Sequence, residues 1–177
     1  MKIGVMCSGS GTNFENIVRT CRFDEVVLMI YNKKDCGAKK RADKLGIPSC
    51  YIKSTDEAKI VREFVWAGAE LIVMAGWMRI VTRHLIDAFP NRIINIHPSL
   101  LPKHKGLNVI QRALDAGDTV TGCTVHYVTE ELDSGAIIIQ GEVPILPDDT
   151  VESLTKAIQR EEYSILPRAI EHVKHQI

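Results

Sequence analysis

Three things are missing from this sequence, and each absence removes a class of function. The charges cancel: 22 lysines and arginines stand against 22 aspartates and glutamates. No basic field exists to hold nucleic acid or an anionic membrane, so any anion must be bound locally. Paired cysteines are missing too. The five present, Cys7, Cys21, Cys36, Cys50 and Cys123, are odd in number, widely spaced and contain no C-x-x-C. That pattern argues against a disulfide framework and a zinc site, and for free thiols in a reducing cytoplasm. The third absence is a long hydrophobic run. LIVMAGWM, from Leu71, is the longest and falls well short of the roughly 20 residues of a membrane span. The apolar start of MKIGVMCSGSG is broken at once by glycine and serine, unlike a signal peptide. No repeat, linker or low-complexity stretch appears. With 177 residues, 45% of them hydrophobic, the expectation is one cytoplasmic domain over 1–177 with small-molecule partners, no nucleic acid and no membrane.

What is present is an alternation of short β-branched runs with segments of helical period, the pattern of βαβ units around a parallel sheet. KIGVMC (2–7) predicts a strand leading through a Gly/Ser turn into a helix from Asn13. EVVLMIY (25–31) is a second strand, followed by a basic helix ending on Gly46, and PSCYI (48–52) is a weak third. The segment 56–68 reads as a helix, with Ala58, Val61, Phe64 and Val65 recurring at three- and four-residue spacing and Gly68 as its end. LIVMAG (71–76) is wholly apolar, as strands buried on both faces are. Thr82 caps a helix to Phe89, RIINI (92–96) is the next strand, and a helix follows over about 107–116. The pattern then changes: 122–145 holds two strands around a polar turn at 133–135, an antiparallel hairpin added to the sheet. A long helix ends the chain, N-capped at Asp149 or Thr150 and bent or broken before Pro167. The fold class is therefore α/β: an open, mainly parallel twisted sheet with helices on both faces and a hairpin near the C-terminal part.

Three stretches could carry chemistry. CSGSGTN sits where the first strand gives way to a helix, and there glycine admits a ligand to the backbone and the helix start favours an anion, with phosphate the natural guest. It lacks the third glycine of the dinucleotide fingerprint and the GK[ST] of a P-loop, so a plain tight turn is the alternative. In NIHPSLLP, Asn95 and His97 lie at i and i+2, on one face and beyond the C-terminal end of a strand. An amide donor beside an imidazole suits acyl-type transfer, one as oxyanion donor and the other as acid or base. The bland alternative is that His97 caps the strand. Asp133, in ELDSGA, is an ordinary turn residue unless it meets a histidine, where a carboxylate would favour the imidazolium. His126 reads as a structural strand histidine. His84, His104, His172 and His175 fall in helices or loops without paired ligands, and no metal is expected.

SGSGTN, AGWMRI, NIHPSLLP and ELDSGAII together occur in the order and at roughly the spacing of the phosphoribosylglycinamide formyltransferases, and over about 2–173 the chain resembles that folate-dependent family. The resemblance implies a Rossmann-like formyltransferase fold. It also implies transfer of a formyl group from 10-formyltetrahydrofolate, as co-substrate and without a metal, to the amine of 5′-phosphoribosylglycinamide in purine synthesis, by a monomer or homodimer. On that resemblance Asn95, His97 and Asp133 are the catalytic trio. Gly11, Thr12 and Asn13 hold the substrate phosphate and Glu162 its ribose hydroxyls. Met78, Arg79, Ile80 and Val81 line the pterin, largely through backbone groups, while Asn95 and the loop Thr129, Glu130, Glu131 and Leu132 complete the folate side. Relatives often carry an arginine near the place of Asp56, in a segment that is short here, which leaves contacts to the folate tail open; many also carry a histidine where this chain has Val109 and Ile110.

Two rivals share the trio. Methionyl-tRNA formyltransferase adds a C-terminal RNA-binding domain with a basic surface, and formyltetrahydrofolate hydrolase adds an N-terminal regulatory domain; neither is expected in this neutral chain. A non-catalytic nucleotide-binding module would need the phosphate loop alone and would leave the trio without a role.

Overall fold

A computed structural model describes residues 1–177. The chain divides into two compact units, Met1–Asn95 and Ile96–Ile177.

The first unit is built on parallel strands. β1 (Lys2–Cys7) pairs in parallel with β2 (Glu25–Tyr31) on one side and β4 (Leu71–Met74) on the other, and β3 (Ser49–Tyr51) adds to β2. β5 (Ile93–His97) runs parallel beside β4, its last two residues belonging to the second unit. Ile3, Val5, Met29, Ile30, Leu71, Ile72 and Val73 are fully buried. Helices cover both faces of such strands, which is why they read as continuous apolar runs and not as alternation. The order β3-β2-β1-β4-β5-β6-β7 reverses its direction of winding between β1 and β4, the place where open parallel sheets leave a crevice beyond their carboxyl ends.

Helices α1 (Thr12–Thr20), α2 (Gly37–Leu45), α3 (Glu57–Ala67) and α4 (Arg83–Ala88) connect these strands. α2 and α3 end at the expected glycines, Gly46 and Gly68, both left-handed and both donating their N–H back to the last turn. The buried face of α3 is Glu57, Ile60 and Phe64, while Ala58 and Val65 are exposed. Its rotation is set by β1: a Cβ on Gly4 would stand 2.5 Å from the Phe64 ring, so the missing side chain is the seat of that ring. Phe64 also meets Phe89 edge-on with centroids 6.3 Å apart.

In the second unit α5 (Val109–Asp115) precedes the antiparallel pair β6 (Val120–Tyr127) and β7 (Ile137–Pro144), and α6 (Val151–Lys174) packs on both strands. The expected break before Pro167 does not occur: α6 runs through it for 24 residues. Proline deletes one backbone donor, but Ile165, Leu166, Ala169 and Ile170 around it are buried, and that packing holds the axis together. Thr150 is the N-cap and forms a capping box with Ser153.

All five cysteines are free thiols. Burial, with Cys36 close by, pushes the Cys7 thiol up, and burial with the Glu162 and Glu161 charges pushes Cys123 up to about 12, so both act as small core residues. No helix is long and apolar enough to cross a membrane.

Candidate active site

At the reversal point of the first unit, the loops after β1 and β4 are fastened to each other through one residue. Ser8, 1% exposed, donates its N–H to the Gly76 carbonyl at 3.0 Å, and its Oγ accepts the Met78 N–H at 2.9 Å. Past Ser8 the chain turns at Gly11, in the left-handed region at φ 76, and enters α1 with no side chain capping the helix start. Those first N–H groups, at Thr12 and Asn13, are where an anion is favoured. Gly11 is also required for space: a Cβ would lie 2.6 Å from the Cα of Ala38. α2 braces the loop, with the Ala38 N–H on the Gly9 carbonyl at 3.0 Å and Arg41 Nε–H on the Ser10 carbonyl at 2.8 Å. Arg41 and Arg19 both pair with Glu15 and hold its carboxyl below the usual range. The acid in the first turn of α1 is thereby neutralised and does not oppose an incoming anion.

The loop after β4 shows Met78, Arg79 and Ile80 outward, with Met78 54% and Ile80 63% exposed, and turns Val81 into the core. Its far end is held by Glu57. This buried carboxylate accepts the Thr82 N–H at 2.8 Å and the Thr82 hydroxyl at 2.5 Å. In sequence Glu57 does not stand out, since an acid in the first turn of a helix has an ordinary explanation in the helix dipole.

In the second unit a histidine and the turn aspartate meet. β5 carries Asn95, half-buried, and ends on His97. His97 Nδ1 stands 3.5 Å from Asp133 Oδ2, with the two side chains 7% and 6% exposed. The other ring nitrogen, Nε2, faces the backbone carbonyl of His104 at 2.9 Å. A carbonyl can only accept, so Nε2 carries the hydrogen and Nδ1 is the nitrogen turned to Asp133. Asp133 takes a left-handed backbone, φ 49, and its Oδ2 accepts the Gly106 N–H at 2.9 Å.

His126 also reaches this carboxylate, its Nε2 lying 3.8 Å from Asp133 Oδ1. Its Nδ1 donates to the Tyr127 carbonyl at 2.9 Å. Burial lowers its pKa, only partly offset by that carbonyl and by Asp133, so a neutral ring is favoured. Sequence reading took His126 for a lone structural residue. The signal available was the hairpin itself, whose turn carries Asp133 back toward the strand that bears His126.

The segment between Ser99 and Pro102 is tied to the hairpin. Thr124 Oγ1 donates to the Ser99 carbonyl at 2.7 Å and accepts the Leu101 N–H at 3.1 Å, and the Gln140 amide reaches the Leu101 carbonyl at 2.8 Å. Thr129, Glu130, Glu131 and Leu132 form an exposed loop before Asp133, braced by Lys105 Nζ on Ser134 Oγ at 2.6 Å. Glu162 is buried on α6, near enough to Cys123 of β6 to act on that thiol.

The first unit thus holds a parallel sheet with an uncapped helix start, and the second a histidine–carboxylate pair at a strand end. The chain belongs to the formyl transferase family, whose sequence pattern matches residues 1–170. Within it, the chain is 39% identical over 180 residues to a phosphoribosylglycinamide formyltransferase of Haemophilus influenzae, spanning 96% of this chain and 85% of that protein. It is 41% identical over 182 residues to the trifunctional purine biosynthetic protein adenosine-3 of Drosophila melanogaster, of which it spans 14%. The fold is similar to that of glycinamide ribonucleotide transformylase 1 from Symbiobacterium toebii, with a TM-score of 0.93 and 40% identity over 96% of this chain and 85% of that one.

Proposed function

We propose that this protein transfers the formyl group of 10-formyltetrahydrofolate to the amine of 5′-phosphoribosylglycinamide, a step of de novo purine biosynthesis. The observation that carries the reading is the approach of His97 Nδ1 to Asp133 Oδ2 at 3.5 Å, just past Asn95 on the same strand. With Nε2 committed to the His104 carbonyl, a proton on Nδ1 gains an ion pair with Asp133. The contact is long for a hydrogen bond, so that proton remains available to a third partner.

The amine lone pair attacks the formyl carbon, and the carbonyl electrons move onto oxygen. The Asn95 amide and the His97 imidazolium stabilise this oxyanion. The bond from carbon to the folate nitrogen then breaks; the attacking amine loses a proton and the departing nitrogen gains one, through His97 or a water held by Asp133. In this reading Gly11, Thr12 and Asn13 take the phosphate through the start of α1, and Glu162 takes the ribose hydroxyls. The loops with Met78, Arg79, Ile80 and Val81 and with Thr129, Glu130, Glu131 and Leu132 take the folate. Exposed Met78 and Ile80 in the first of these loops offer apolar surface to a flat ring. The reading includes no metal, nucleic acid or membrane, a cytoplasmic location, a single domain, and a monomer or homodimer.

The test mixes purified protein with 10-formyltetrahydrofolate and each candidate amine, following tetrahydrofolate release by absorbance. Release that depends on phosphoribosylglycinamide is expected. Release with water alone would make the protein a hydrolase and overturn the reading.

A further inference from the structure

We propose that Asp118 is a positioning residue for His97: by gripping the His104 side chain it holds the His104 carbonyl in place to take the Nε2 proton of His97. It thereby fixes which ring nitrogen faces Asp133. The inference rests on the role given to His97 above and adds a residue outside the reacting group.

His104 sits in the left-handed region at φ 56. A non-glycine residue holds that conformation only when its surroundings over-determine it. Relaxing it would swing the peptide and carry its carbonyl off His97 Nε2, now 2.9 Å away. The grip on the side chain comes from Asp118, in the turn between α5 and β6, whose Oδ2 lies 2.7 Å from His104 Nε2. The other oxygen takes Lys103 Nζ at 2.6 Å. The Asp118 side chain is 9% exposed and that of His104 13%, against 61% for Lys103. The Lys103 ammonium and the His104 ring hold the Asp118 carboxyl below its usual range, so the grip is an ionised one. Ser99 Oγ also touches this turn, 2.7 Å from the Lys103 carbonyl and 3.1 Å from that of His104. Its single proton serves one carbonyl at a time and cannot replace the side-chain grip.

The consequence is tautomeric. The groups facing the His97 ring are the His104 carbonyl, the Asp133 carboxylate and, from β6, His126. With the carbonyl fixed, neutral His97 carries its hydrogen on Nε2. With the carbonyl displaced, the hydrogen moves to Nδ1, where Asp133 accepts it, and the ring can no longer take up a proton on that side.

Long-range 1H–15N correlation spectra of the histidine rings, recorded at alkaline pH where imidazoles are neutral, read the tautomer directly. Wild type is expected to show His97 with hydrogen on Nε2. Asp118→Ala should add an Nδ1–H population and lower kcat about tenfold, with KM for both substrates within about twofold. His104→Asn, which tolerates the left-handed backbone but breaks the grip, should do the same and carries the test if Asp118→Ala does not fold. Lys103→Met should leave the tautomer alone, because that ion pair is largely solvated. An unchanged His97 tautomer in the folded variants, or an equal change in Lys103→Met, overturns the proposal. An altered tautomer with unaltered turnover keeps it and overturns instead the proton-transfer role assigned to His97.

Discussion

The two units solve opposite problems with the same materials. On the proposed reading the first unit offers its ligand backbone groups, the start of α1 and the loop after β4, and side chains do the holding: Ser8 Oγ on Met78, Arg41 on Ser10, Glu57 on Thr82. In the second, the groups offered are titratable side chains, and backbone does the holding: the carbonyls of His104 and Tyr127 and the N–H of Gly106 orient His97, His126 and Asp133. A charge that must be bound but not changed is well met by fixed dipoles, which do not titrate. A proton that must move needs groups that do titrate, and a fixed backbone partner decides which nitrogen holds it.

That contrast breaks most visibly at Asp133. Asparagine suits its left-handed backbone and can still accept the Gly106 N–H, so Asp133→Asn should fold as wild type while kcat falls about 10²-fold or more through loss of the charge beside His97. Turnover and thermal unfolding, measured side by side, decide it; near-normal turnover would return Asp133 to the role of a turn residue. A smaller effect is expected from Gly11→Ala in the first unit, where the new Cβ meets the Ala38 backbone and the φ of 76 is strained. The KM for the phosphorylated acceptor should rise about tenfold, with kcat at saturation changed less. A fall confined to kcat would show that this loop does more than bind.

The smallest effect is on stability. Burial lowers the pKa of His126 from its ordinary 6.5, so the folded protein resists a proton that the unfolded chain accepts. The stabilising contribution is complete above pH 6.5 and is lost as pH falls through the folded value. His126→Gln, which can still donate to the Tyr127 carbonyl, removes that dependence. Its Tm should decline less steeply than that of wild type on the acid side of pH 6.5, and parallel curves would mean that His126 titrates alike in both states.

Legibility from sequence followed the range of the interactions. β1 and β2 occupy the stretches 2–7 and 25–31 that their apolar runs predict, because strand burial on both faces writes itself into consecutive residues. The ends of α2 and α3 at Gly46 and Gly68 were equally local. The face of α3 was not, since it depends on a seat at Gly4 sixty residues upstream, supplied by an absent side chain. Nor was the course of α6 through Pro167, where packing outweighs one lost donor. The place of Asn95 and His97 at the end of β5 was legible from the apolar run before them, and the meeting of His97 with Asp133 from the resemblance alone. Asp118 and His126 look ordinary in sequence because each becomes distinctive only through its partner, His104 on the preceding loop and Asp133 in the hairpin turn.

Ser8 ties the loop before α1 to the loop after β4 through both its N–H and its hydroxyl. If phosphate fills the first and a pterin the second, the two ligands rest on one shared support. A ligand that shifted either loop would act on the other through that residue, and any coupling between the two would be felt equally by both. The kinetic form of such coupling would be a ternary complex favoured over either binary one, set by a buried residue outside the reacting group.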